Sequence, residues 1–185
     1  MDETPPGAPA ATETDAVPAA VVDLLGVLAY GELSAFMRMA VDCDLAPTLG
    51  LKTSMGRLAT TDFEHYSLLV EHMRERGIDP EAAMAPFVAP IAVYHERTKP
   101  KGWLEGLVKG YVGEGIARDF YREMTAFVDA DTREVMQTAL DDRSEADFVV
   151  QIVRDTIRTD PRAAGRLALW GRRLLLATTV LLRLG

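Results

Sequence analysis

Apolar residues recur at helical spacing along most of the chain, and no segment alternates the way a half-buried strand does. Between positions 51 and 76 the stripe reads Leu51, Met55, Leu58, Asp62, His65, Leu69 and Met73. Steps of three and four place all of them on one face of a helix, so Asp62 and His65 fall in the middle of a face that is otherwise apolar. The segment before it behaves the same way. Leu25, Leu28, Phe36, Met39 and Cys43 form one stripe, and Glu32 interrupts it.

This periodicity predicts five helices, over about residues 18–44, 51–76, 103–128, 131–158 and 161–184. Pro18 suits a first turn, Pro47 lies just past the first helix, and Gly77 is a natural residue to end the second. Short links join helices one and two (residues 46–50) and helices three and four (residues 129–131). Residues 78–102 form a long link carrying Pro80, Pro86, Pro90 and Pro100, so any helix there should be short. The long link can return along a helix of about 26 residues, roughly 40 Å. Short, long, short is the connection order of a ferritin-like bundle with one crossover; an ordinary up-down bundle has three short links.

The chain has 185 residues, 48% of them hydrophobic, which suits one folded domain over residues 18–185. Residues 1–17 are mostly Ala, Pro, Thr and acid and read as a disordered tail, with neither the basic start nor the apolar run of a secretion signal. The net charge of −8 makes the chain a poor general binder of nucleic acid. The single cysteine, Cys43, cannot form an intrachain disulfide and reads as a small core residue in a reducing, cytoplasmic compartment. The apolar run at residues 174–182 is far short of the roughly 20 residues that span a bilayer, so a core or interface helix is expected there and no membrane partner.

A carboxylate in an apolar core is costly unless it is paired, protonated or bound to a metal. A carboxylate on one helix facing Asp-x-x-His on the next is half of a carboxylate-bridged dimetal site. In the second half of the chain, Glu114 shares a face with Leu107, Tyr111 and Tyr121, among Gly110, Gly113 and Gly115. Those glycines cost the helix about 2–3 kcal/mol relative to Ala, which implies close approach of another group. The fourth helix offers Glu145 and Asp147.

Leu58-Ala59-Thr60-Thr61-Asp62-Phe63-Glu64-His65-Tyr66 resembles the Glu-x-x-His helix of the ferritin-like tRNA hydroxylases, which oxidise the isopentenyl group of a methylthiolated adenosine. The run from Gly113 to Tyr121 resembles their third helix, and Ser144-Glu145-Ala146 the start of their second Glu-x-x-His. The resemblance spans roughly residues 24–153 and is nearest to a bacterial branch of unsettled function. It implies Glu32 and Glu114 as terminal metal ligands, Asp62 and Glu145 as bridging ligands, and His65 as the first imidazole. Asp62 stands where the family has Glu, and Phe148 stands where its second His should be. The second departure weighs against oxygen-activating hydroxylation.

The expectation is therefore an all-α, ferritin-like four-helix bundle with one long crossover and an additional C-terminal helix. Its chemistry would be a carboxylate and histidine metal centre of one or two ions, iron first and manganese as the alternative, with a diiron monooxygenase as the enzymatic form. An iron-handling protein without an organic substrate and a metal-free scaffold or dimerisation module remain open. In the latter, Asp62, His65 and Glu32 would bond one another, or Glu32 would pair with Arg38, Arg57 or Arg118. His72 is read as a surface residue with a weaker claim as a ligand, and His95 is given no role. Asp119 and Glu123 are read as a solvated face pairing with Arg118 and Arg122. Arg154, Arg158, Arg162, Arg166, Arg172 and Arg173 are an RNA-contacting patch or, as the acidic total favours, solvated charges, so a tRNA partner is disfavoured. The Leu-rich face at residues 167–182 should pack on the bundle or on a second copy, giving a homodimer through the C-terminal helix.

Overall fold

The structure, a computed structural model, describes residues 17–140 and 144–181, except for the side chains of residues 140, 144–146 and 179–181. The expected tail lies outside the described residues, apart from its last position, 17. The described residues form helices α1 (Ala19–Asp44), α2 (Leu49–Glu75), α3 (Pro80–Arg97), α4 (Trp103–Met124), α5 (Ala130–Leu140), α6 (Ser144–Thr159) and α7 (Pro161–Leu181), with one 3₁₀ turn at Thr125–Phe127 and no strand. This is the expected all-α bundle. Helices α1, α2, α4 and the α5–α6 pair supply its four segments, α3 is the crossover, and α7 is the addition.

Local chemistry sets most of the boundaries. The Pro18 carbonyl accepts from the Val21 and Val22 amides and starts α1. The Thr48 side chain caps α2 by accepting from the Leu51 amide at 3.2 Å. Gly77, at φ 71°, ends α2, and the Ile78 amide returns to the Met73 carbonyl at 2.8 Å. The Asp129 carboxylate caps α5 through the Thr132 amide and hydroxyl, at 3.0 and 2.9 Å. These bonds, the backbone one first, hold its carboxyl down at about 2, and Arg76 at 2.7 Å adds to the effect.

Two expectations need correction. The crossover is an 18-residue helix, although it contains Pro86 and Pro90. Both prolines are exposed and share one face four residues apart, so the carbonyls they leave unbonded can turn to water. Ala83 and Met84 hold the helix to the core. The fourth expected helix is two helices, α5 and α6, with residues 141–143 between them outside the described set.

The core is in two parts. Leu24, Leu25, Leu28, Leu69, Val70, Met73, Tyr121 and Met136 lead one cluster. Met39, Ala46, Met55, Ala59, Leu107 and Val149 form the other. Helix α3 closes tightly on α1 at Gly26, where an added Cβ would lie 2.1 Å from the Ala83 carbonyl oxygen. Helix α1 is also long and apolar enough to cross a membrane by length and composition. It packs against α2, α3 and α4, and 39% of that apolar stretch is buried within the bundle.

Candidate metal centre

The two core clusters leave a gap at the same level on α1, α2 and α4, and polar side chains fill it. On α1 the gap lies between Ala29 and Met39, and on α2 between Ala59 and Leu69. On α4 it lies between Leu107 and Tyr121. Glu32, Asp62, His65, Glu114 and Arg118 all fall within it.

Glu32 and His65 meet across the α1–α2 contact. Glu32 Oε2 lies 3.6 Å from His65 Nδ1, and the two side chains are only 16% and 18% exposed. Asp62 is half-buried, one turn before His65 on α2. Tyr121, buried on α4, faces the same carboxylate. Burial pushes its phenol above its ordinary range, and the Glu32 charge adds to that. Phe36 and Phe63 pack beside the layer at a tilt of 53°, with ring centroids 5.0 Å apart.

Glu114 behaves differently. The Arg118 guanidinium, one turn later on α4, donates to its carboxylate, with side-chain exposures of 19% for Arg118 and 35% for Glu114. Arg118 was expected to serve a solvated face. It lies instead on the stripe of Leu107, Glu114 and Tyr121, and on the outer face Asp119 pairs with Arg122 at 3.4 Å. Eleven residues separate Leu107 from Arg118, three helical turns, so the register was available in the sequence. Glu145 lies in the first turn of α6, and its side chain is outside the described residues. Phe148, at the expected second imidazole position, packs against the core cluster of Met55 and Leu107.

The donor set can be tested against a metal on these positions. Two ligands each about 2.1 Å from one ion, at a tetrahedral angle, stand about 3.4 Å apart. The Glu32–His65 separation of 3.6 Å suits a shared cation and is long for a direct hydrogen bond. Among the described residues no three His, Cys, Asp or Glu side chains converge on one point. Among the described donors, Glu32 and His65 are spaced to fit one ion, and the Glu145 side chain lies outside this comparison.

A second polar cluster lies on the other side of α1, around His95, whose role no local sequence pattern marks. Ser34 Oγ and His95 Nε2 are 2.6 Å apart, and His95 Nδ1 is buried without a hydrogen-bond partner among the described residues. Burial, reinforced by the Lys109 and Arg38 charges, brings the His95 imidazole down to about 3. Lys109 is buried on α4 with its ammonium 5.4 Å from the Tyr94 ring centroid, and burial lowers it to about 8 against the pull of Asp42. Of the noted α4 glycines, Gly110 alone is approached more closely than ordinary van der Waals contact, and there by the flexible end of a side chain. An added Cβ at Gly110 would lie 2.9 Å from Met39 Cε, and one at Gly113 would lie 4.0 Å from the Tyr94 hydroxyl. Gly115 faces open space. His72 also needs correcting: it is buried, not on the surface, and its Nε2 lies 3.0 Å from Thr132 Oγ1.

A search of curated proteins returned no match to the chain. A family model described as a ferritin-like domain of actinomycetes matches residues 15–180. That match covers every helix but the last residue of α7, and it agrees with the single-crossover topology: the chain belongs to this ferritin-like family.

Proposed function

We propose that the chain is a ferritin-like metal-binding protein whose polar layer holds one divalent cation between Glu32 and His65. The observation that carries this reading is the mostly buried Glu32–His65 pair at 3.6 Å, set between two apolar clusters. One carboxylate and one imidazole suit iron and manganese alike, and iron comes first from the resemblance. Glu32 and His65 would hold the ion, with Asp62 one turn away. The ion when bound would supply one-electron redox chemistry, and the flanking apolar clusters restrict its access to water.

The finer reading suggested by the resemblance, a diiron hydroxylase acting on tRNA, is not the one favoured. It calls for two ions and a second imidazole, and here Arg118 engages Glu114 while Phe148 serves the core. An acidic chain is also a poor match for RNA phosphates. Iron handling without an organic substrate fits a single redox ion better. A metal-free scaffold is the second reading, favoured by the same Arg118–Glu114 pair, because it neutralises one part-buried carboxylate of the layer without metal.

The test is metal content after expression in iron-supplemented medium and purification without chelator or nickel. Close to one iron per chain, lost in Glu32→Ala/His65→Ala, supports the single-ion reading. No iron in a folded wild-type protein leaves the scaffold.

A further inference from the structure

We propose that Arg118 is a built-in cation that takes the charge-balancing place of a second metal ion at Glu114, and so limits the layer to one ion. The inference rests on the metal-binding reading above. It starts from the register of α4. Leu107, Glu114, Arg118 and Tyr121 share one stripe, and Leu107 and Tyr121 are buried in the two core clusters that bracket the layer. Arg118 therefore carries its charge on the inner side of the helix, where its side chain is only 19% exposed. A guanidinium stays protonated at any physiological pH and cannot act as a ligand. Its contact with Glu114 does for that carboxylate what a metal would do, and it does so permanently.

Two ions of a dinuclear centre sit about 3.5–4 Å apart and share bridging carboxylates. A fixed positive charge on one of the carboxylates opposes the second ion twice, by repelling it and by occupying its ligand. The first ion is less affected, because Glu32 and His65 come from α1 and α2 and pair with each other. The layer is thus asymmetric: Glu32 faces His65 in the α1–α2 half, and the α4 half already holds a cation.

The experiment titrates wild type, Arg118→Met, Arg118→Lys, Glu114→Gln and Glu32→Ala/His65→Ala with Mn(II) without oxygen, reading bound metal and the electron paramagnetic resonance signal. Folding is checked by circular dichroism. The expected result is about one ion per chain in wild type, Arg118→Lys and Glu114→Gln, with an isolated-ion spectrum, and about two in Arg118→Met, with the spectrum of a coupled pair. A folded Arg118→Met that stays at one ion overturns the inference and leaves the single-ion reading standing. Two ions in wild type overturn it as well. If Arg118→Met does not fold, Glu114→Gln decides: metal affinity within about twofold of wild type supports the inference, and a tenfold loss, as for a removed ligand, overturns it. Metal bound by Arg118→Met and not by wild type upholds the role of Arg118 and sinks the single-ion reading. No binding by any folded variant sinks both.

Discussion

His95 makes the fold sensitive to acid. Its imidazole is brought down to about 3 by burial first, with Lys109 and Arg38 adding to it, whereas in the unfolded chain it titrates near ~6.5. A group whose folded value is depressed binds more protons when unfolded, so stability is full above about 6.5 and falls as pH drops toward 3. Burial lowers His72 too, which adds to the trend in the same direction. Urea midpoints measured between pH 7 and pH 4 should therefore fall steadily, and His95→Gln should flatten much of that slope. A wild-type midpoint that does not move over this range would contradict the buried, neutral His95. The residues of the polar layer are arranged otherwise: Glu32 faces His65 across the α1–α2 contact, while Glu114 pairs with Arg118.

Among the elements, α3 holds the clearest tests. Gly26 lets it approach α1 so closely that an alanine there would drive Cβ into the Ala83 carbonyl. Backbone cannot step aside as a flexible side chain can. Overpacking of about 3 kcal/mol, less about 1 kcal/mol of helix propensity, predicts a net loss of about 2 kcal/mol for Gly26→Ala in urea unfolding. Gly56, with nothing near its open face, is the control: Gly56→Ala should gain about 0.5–1 kcal/mol. If both variants respond alike, the α1–α3 contact is wrong. Pro90 is the opposite case, an exposed helix-breaker inside a helix that tertiary packing sustains. Pro90→Ala should raise stability by about 2 kcal/mol, allowing for the unfolded-state entropy that proline removes. Unchanged or lower stability would mean that Pro90 shapes α3 to fit α1.

At the scale of the whole molecule, α7 divides its apolar residues between two duties. Trp170 and Leu174 are buried, and the Trp170 indole donates to the Glu105 carbonyl at 2.9 Å. Leu169, Leu175 and Leu176 stay 69%, 52% and 71% exposed. The bundle thus accounts for one face of the Leu-rich helix, and the expected homodimer would account for the other. Sedimentation over a range of concentrations should then give a dimer that Leu169→Glu/Leu176→Glu converts to a monomer. A wild-type protein that stays monomeric at the highest concentrations removes the second copy from the picture. Of the arginines along α6 and α7, Arg158 pairs with Asp155 at 3.2 Å and Arg166 with Asp160 at 2.9 Å, and Arg173 donates to the Arg97 carbonyl at 2.8 Å.

Periodicity alone determined the helical class, the long partners α1 and α2, and the polar interruption of their shared face. A helix declares its buried stripe locally, and Glu32, Asp62 and His65 sit on that stripe whatever surrounds them. The short, long, short order of links then selected the topology before any contact was known. Three things were left to the tertiary structure. Helix α3 persists through Pro86 and Pro90 because its inner face is packed, and packing is a property of neighbours that overrides local propensity. Ser34 meets His95 across 61 positions of sequence, a distance no local pattern spans. Glu114 and Arg118 pair within α4, but whether Glu32 meets His65 depends on how far α1 and α2 rotate and slide against one another. A single turn of that freedom separates a metal ligand from an ion pair.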